Sequence, residues 1–407
     1  MFSPRLVLPS VASLTSVLVS FIFLQNLFLT HHQKDSGLVE VCAFSVSSEL
    51  PRRDGAMARR KPKGSGFGSE QQQRQGKQKR KHDNDENNTI YSKPSLYDLA
   101  FGYRNYEDEI SFLLEAHRST SGSLPQTILE LAAGPGRHSL TALTWSGSPS
   151  ISHATALDMS PHMRAYSLDL AHQSISVNVN SAVTDRLPFV ILNDEVDDIT
   201  TKSDDHFGDS TFQYVLGDMK NFKLSRKFDS AWLLLGSMQH LLSNNDVMQC
   251  FRSVYEALTT NGTIIIELQH PQETFTMLEC TRSTWKVPLD FNYRTADTLG
   301  DDESPPSSTS EAYLKVLWGE EDDPFDPISQ VRNLTVVLEL VNPHDPATST
   351  RISEVVPTRV FTAQEIDALA ACCGFEVTAM YGALDKDIPI TDPEVAYRMV
   401  CVLRKIS

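Results

Sequence analysis

From Tyr91 onward, short apolar runs alternate with stretches whose apolar residues recur at helical spacing. Asp108 to His117 places Ile110, Leu113 and Leu114 on one helical face. Thr127 to Ala133 is a short apolar strand that runs into a glycine turn, and His138 to Trp145 resumes as helix. Thr155 to Asp158 reads as a second strand. Ser160-Pro161 then opens a helix, since proline is pre-set for the first helical turn. Phe212 to Leu216, Asp229 to Leu235 and Thr263 to Leu268 are the third, fourth and fifth strands. The helix Asn244 to Leu258 lies between the last two and is stopped by Asn261-Gly262. Thr362-Ala363-Gln364-Glu365 is a capping box ahead of Ile366, Leu369 and Ala370, and Glu376 to Tyr381 and Arg398 to Arg404 close the chain as strands. This alternation predicts an α/β fold: a doubly wound, mostly parallel sheet of seven strands, covered on both faces.

Two stretches break the rhythm. Residues 177–210 are an acidic insertion, holding eight acids against Arg186 and Lys202. Residues 271–357 follow the fifth strand; they begin polar and Pro/Ser-rich, then alternate like antiparallel strands at Leu314 to Trp318, Leu334 to Val341 and Ile352 to Val360. That pattern predicts a cap or lid on the ligand side of the sheet.

Charge divides the chain of 407 residues. Residues 1–90 hold 13 basic and 8 acidic side chains, and residues 91–407 hold 23 and 44. The insertions supply most of the acidity: Asp194 to Asp209 has seven acids and Asp301 to Asp326 has nine, against Lys202 and Lys315. The acid therefore belongs to surface insertions rather than to a site. It gives no positive reason to expect a nucleic-acid partner, whose phosphates need basic side chains. Six cysteines rule out a disulfide scaffold, and no Cys/His spacing points to a metal.

The N-terminal region reads as two parts. Leu6 to Thr30 is a run of 25 residues without a formal charge, behind Arg5; residues 1–43 read as a signal peptide or a signal anchor. Residues 44–90 read as a disordered basic linker, with too little apolar content to bury a core. Together they resemble the two-part plastid leaders of algae with secondary plastids. A membrane or secretory route follows from this leader, and a cytoplasmic protein follows if Met57 is the true start.

The chemistry centres on Ile128-Leu129-Glu130-Leu131-Ala132-Ala133-Gly134-Pro135-Gly136-Arg137-His138. Gly134 and Gly136 let the backbone approach a bound cofactor without a Cβ clash, and the helix N-terminus favours a negative group. Asp158 follows 22 residues past Gly136 at the end of the second strand, where a carboxylate can take both ribose hydroxyls. A dinucleotide fingerprint would need a third glycine where Ser139 stands, which disfavours a nicotinamide oxidoreductase.

These residues resemble the class I S-adenosylmethionine-dependent methyltransferases. Glu130, Gly134 and Gly136 match the first motif of that family, and Asp158 the ribose acid. Gly217-Asp218-Met219 matches the adenine-side motif. Phe228-Asp229-Ser230-Ala231 and Asn261-Gly262-Thr263-Ile264-Ile265-Ile266-Glu267 match those of the fourth and fifth strands. The resemblance spans residues 91–407. It implies a Rossmann-like sheet, S-adenosyl-L-methionine as cofactor, and cofactor contacts at Glu130, Ala132, Gly134, Gly136, Asp158, Met159, Asp218, Met219 and Leu235. Ala132 stands where many members have glycine. Gly236-Ser237-Met238-Gln239-His240-Leu241, His270-Pro271-Gln272-Glu273-Thr274-Phe275 and Phe361-Thr362-Ala363-Gln364-Glu365 resemble the small-molecule N-methyltransferases of the amino-sugar and glycine type, which carry an antiparallel cap after the fifth strand.

His240 and His270 fall just past strands four and five, at the sheet edge where ligands bind, and are candidate catalytic residues on the substrate side. Tyr97, Tyr103 and Tyr106 border the site from the N-terminal segment, or pack in the core. The reading is a methyltransferase acting on a small molecule, with nitrogen preferred over oxygen as acceptor. The alternatives are an RNA or protein methyltransferase on the same fold, or a non-catalytic cofactor-binding module.

Overall fold

The computed structural model describes residues 89–148, 150–180, 189–192, 210–272, 282–289, 312–343 and 346–406. The expected leader, nearly all of the expected linker and most of the acidic insertion lie outside the described residues. Among the described residues no helix is long and apolar enough to cross a membrane.

The main sheet has eight strands, one more than expected. They are β1 (Thr127–Leu131), β2 (His153–Asp158), β3 (Phe189–Leu192), β4 (Ser210–Leu216), β5 (Phe228–Leu233), β6 (Leu258–Gln269), β12 (Phe375–Tyr381) and β13 (Arg398–Lys405), in the order β12-β13-β6-β5-β1-β2-β4-β3. The added strand, β3, falls inside the acidic insertion and pairs parallel with β4. All neighbours pair in parallel except β13, which runs against both β6 and β12. The order reverses at β1, so a crevice opens outside the carboxyl ends of β1 and β5, where ligands enter such sheets.

The sheet's two-residue period is visible in its burial. Leu129, Leu131, Ala231, Leu233, Ile264 and Ile266 face one apolar cluster, while Ile128, Trp232, Leu234 and Ile265 face the other. The first cluster is closed by α5 (Asn244–Ala257) and α6 (Ala363–Ala371), the second by α2 (Tyr106–Ser121) and α3 (Arg137–Thr144). Local signals set the ends. Asn105 caps α2 by accepting the Asp108 N–H, and three acids fill its first turn, where the helix dipole favours them. Thr362 and Glu365 form the expected reciprocal capping box on α6. The remaining helices are α1 (Pro94–Phe101) and α4 (Pro161–Asn180), so the helix after β2 runs on into the segment read as insertion.

A second, antiparallel sheet follows β6, in the order β11-β10-β8-β7: β7 (Ser283–Pro288), β8 (Tyr313–Trp318), β10 (Val331–Val341) and β11 (Thr350–Arg359), with β9 (Phe325–Asp326) paired to β10. Three of these strands match the expected runs; β7 and β9 are additional. Leu314, Val316, Val336, Leu338 and Ile352 form its inner apolar face against α1. The Trp285 Nε1–H donates to the Ala100 carbonyl at 3.0 Å, fastening this cap to α1. β11 also packs against the short turns Ile90–Ser92 and Ser237–His240.

Candidate functional site

The loop after β1 is built from left-handed backbone. Ala132, Gly134 and Gly136 have φ of 49°, 52° and 69°, and Leu235, at the end of β5 across the crevice, has φ 56°. Such a conformation strains Ala132 and Leu235, and strain of this kind gathers where backbone must meet a ligand. A Cβ on Gly136 would lie 2.8 Å from Ser167 Oγ, so glycine is required there for packing as well as for φ. The loop, α1 and the end of β5 enclose a cleft whose lining includes Tyr97, Asp98, Tyr106, Glu130, Arg137, His138 and Leu235.

Asp158 lies at the carboxyl end of β2, beside this loop. Its Oδ2 accepts the Gly134 N–H at 2.9 Å and its Oδ1 the Ser160 N–H at 2.8 Å. Burial raises its pKa above the ordinary 3.8, opposed by these backbone donors. No cationic side chain balances it among the described residues. Gly217 N–H donates to the Asp158 carbonyl at 2.9 Å, which brings Asp218 and Met219 to the neighbouring strand end. Asp218 Oδ1 folds back onto the Lys220 N–H at 2.9 Å, while Met219 packs against the core. Met159 projects from the lip of the crevice, 75% exposed.

Glu130, which lines the cleft, also has a structural job. It is buried, and its Oε2 accepts both the N–H and the hydroxyl of Ser139, at 2.9 and 2.6 Å. The carboxylate thus ties the start of α3 to β1 and braces the glycine turn from below.

Glu130 is also the first member of a buried chain of alternating charge that sequence reasoning missed. Its Oε1 lies 3.4 Å from His138 Nδ1, and His138 Nε2 lies 2.7 Å from Glu109. Glu109 takes Arg104 Nε at 2.8 Å, and Arg104 forks onto Glu267 at 3.0 and 3.3 Å. Arg398 Nε reaches Glu267 at 3.2 Å, and Glu267 Oε2 accepts the N–H of strained Leu235 at 2.9 Å. Burial opposes charge at both His138 and Glu267, but the partners outweigh it. His138 rises to about 9 and Glu267 falls to about 2. With His138 protonated, three anions meet three cations. Asp98 on α1 similarly holds Arg137, the residue after Gly136, and accepts the Tyr166 hydroxyl at 2.9 Å.

The aromatic candidates separate. Tyr97 borders the cleft, with its ring 3.9 Å from the position of a Cβ on Gly134. Tyr106 stacks edge-on to His138 with centroids 5.0 Å apart. Tyr103 is 60% exposed and is not among the residues lining the cleft. Tyr91, not picked out in the sequence, does border the site: its hydroxyl lies 3.2 Å from His240 Nε2. Its ring stands 5.8 Å from that of Tyr97.

The two histidines also separate. His240 is solvent-accessible at the cleft rim, with its pKa drawn below 6.5 by desolvation, so the ring is neutral at pH 7. His270 is buried, its Nε2–H donating to the Ile390 carbonyl at 2.9 Å and its Nδ1 accepting the Gln272 N–H at 3.2 Å. Both nitrogens are committed, so His270 pins the 382–397 loop and has no lone pair for catalysis.

No protein-family model matches the chain, and a sequence search of curated proteins gives no match. Solved structures do resemble it. An S-adenosylmethionine-dependent methyltransferase from Clostridium acetobutylicum superposes with a TM-score of 0.51 at 13% identity, covering 77% of this chain and 97% of that one. DesVI from Streptomyces venezuelae gives 0.49 at 16% identity, covering 77% and 98%. CalS10, an amino pentose methyltransferase from Micromonospora echinaspora solved with S-adenosylmethionine, gives 0.48 at 15%, covering 76% and 96%. The shared fold rests on the first of these: the chain has the α/β architecture of that methyltransferase.

Proposed function

We propose that the protein is an S-adenosylmethionine-dependent methyltransferase acting on the nitrogen of a small molecule. The observation that carries this reading is Asp158. Its carboxylate sits at the end of β2, bonded only to backbone N–H groups, beside a left-handed glycine loop at the point where the strand order reverses. A carboxylate so placed has lone pairs left for the two hydroxyls of a ribose. The turn from Ala132 to Gly136 and Leu235 suit the amino-acid end, and Met159 and Met219 the adenine side. When bound, the cofactor supplies a methyl group on a sulfonium, an already activated leaving group, so positioning contributes much of the rate.

The acceptor side is read from Tyr91 and His240. With His240 Nε2–H donating to the Tyr91 hydroxyl oxygen, Nδ1 keeps its lone pair, and a neutral imidazole can take the proton that an amine must lose. The methyltransferase from Clostridium acetobutylicum, whose fold the chain shares, supports the methyl-transfer part of this reading.

Isothermal titration of the full chain with S-adenosylmethionine tests it. Losing two hydroxyl bonds to a carboxylate, each about 1.5–3 kcal/mol, should make Asp158→Ala bind at least about 100-fold more weakly. Binding by that variant equal to wild type overturns the reading. Transfer of a labelled methyl group into a metabolite extract, absent with Asp158→Ala, then identifies the acceptor.

A further inference from the structure

The inner face of the cap carries one carboxylate amid apolar neighbours. Glu354 stands directly across from Val336 and, by the two-residue period of β11, on the same face as Ile352 and Val356. Its Oε2 accepts the Ile90 N–H at 3.0 Å. The basic residues of its own strand are engaged elsewhere, Arg351 with Glu339 and Arg359 with Glu365, and no basic side chain among the described residues pairs with Glu354. Half-buried and without a counter-ion, this carboxylate keeps a negative potential that an incoming cation can meet.

The position of Glu354 says where that cation would sit. The residue it grips is followed in the chain by Tyr91, whose hydroxyl meets His240, and β11 packs against both the Ile90–Ser92 and the Ser237–His240 turns. Burial, Tyr97 and the negative charges of Glu354 and Asp158 hold the Tyr91 phenol proton more tightly than usual. The carboxylate is thus close enough to the Tyr91 phenol for its charge to be felt there, on a strand that packs against the turn carrying His240.

We propose that Glu354 is a specificity-determining residue: it binds the ammonium form of the acceptor and so selects protonated primary or secondary amines over neutral alcohols of the same shape. This rests on the amine-acceptor reading above. An ammonium group held by Glu354 would lie toward the turn that carries His240, the neutral base to which it can yield a proton. A purely anchoring role toward Ile90 is the competing explanation, and glutamine preserves it, because an amide oxygen accepts an N–H equally well.

The test compares two isosteric probes, cyclohexylammonium chloride and cyclohexanol, titrated calorimetrically against the full-length protein at pH 7 without cofactor. A charge-assisted hydrogen bond predicts at least about tenfold tighter binding of the ammonium by wild type. Glu354→Gln should bring the two probes within about twofold of each other while leaving cyclohexanol binding and the melting temperature unchanged, and Glu354→Asp should restore part of the preference. The proposal is overturned if wild type shows no preference for the ammonium, or if the preference survives in Glu354→Gln. A separate titration with S-adenosylmethionine keeps the two readings apart: its failure removes the methyltransferase assignment and leaves the cation result standing.

Discussion

Replacing Glu267 by glutamine tests the buried charge chain at its most connected point. The variant keeps the volume and the acceptor for the Leu235 N–H but withdraws the charge that Arg104 and Arg398 share. In the folded protein Glu267 titrates at about 2 against an ordinary 4.5, because the two arginines outweigh burial. At about 1.4 kcal/mol per unit, that depression corresponds to about 3 kcal/mol of folding stability. Removing one partner of a buried pair falls in the same range, about 3–5 kcal/mol. Because the folded-state pKa is depressed, the stabilisation is fully present above pH 4.5 and is lost as the pH falls through about 2. Urea titrations followed by far-ultraviolet circular dichroism should show wild type about 3 kcal/mol more stable than Glu267→Gln at pH 7. The gap should be unchanged at pH 5.5 and visibly smaller at pH 3.5. A gap under about 1 kcal/mol at pH 7, or one that stays constant down to pH 3, would refute the view that this carboxylate is held ionised by its arginines.

The remaining expectations concern neighbouring parts of the site. His138 is raised to about 9, so its contribution is complete below 6.5 and is lost as pH rises through 9; wild type should lose stability between about pH 6.5 and 9, and His138→Gln should lack that dependence, checked by melting temperature against pH. Gly136→Ala combines left-handed backbone with a contact at 2.8 Å and should destabilise by more than about 2 kcal/mol, whereas Gly134→Ala, with nothing nearer than 3.9 Å, should lose only the backbone part of about 1–2 kcal/mol, both read by chemical denaturation. His240→Asn should lower kcat with little change in cofactor affinity, while His270→Ala should lower the melting temperature by releasing Ile390, with methyl transfer falling only as far as stability does. Equal kinetic effects of the two histidine variants in folded protein would contradict the division between them.

The parts of this fold that the sequence discloses are those set by local rules. The glycine turn, the capping box at Thr362 and Glu365 and the seven longer strands each announce themselves within a dozen residues, because period, caps and turns are short-range properties. β3 escapes notice because four apolar residues amid acids give no period to count. β9 has two residues and exists through its partner β10. The site divides the same way. Asp158 and the glycines are legible from their spacing, whereas Arg104 and Glu267 meet across 163 residues and nothing local marks them as a pair. In sequence Tyr91 reads only as the beginning of the domain, and its contact with His240 exists only once the Ser237–His240 turn is brought beside it.

The carboxylates around the crevice can be sorted by what neutralises them, and the sorting separates framework from function. Glu267 has two arginines, Glu109 has Arg104 and His138, Asp98 has Arg137, and Glu130 has His138 along with the Ser139 donors. Each of these is satisfied by a cationic partner within the protein. Such groups hold elements together: α1 to the glycine turn, α2 to β6, and Leu235 in its strained conformation. Asp158 and Glu354 differ, since among the described residues each accepts its hydrogen bonds from backbone N–H groups alone. Backbone donors orient a carboxylate without discharging it, which leaves lone pairs and negative potential for an incoming molecule. One such acid lies beside the glycine loop and the other beside Tyr91 and His240. On the proposed reading, these two carboxylates would serve the cofactor and the acceptor respectively.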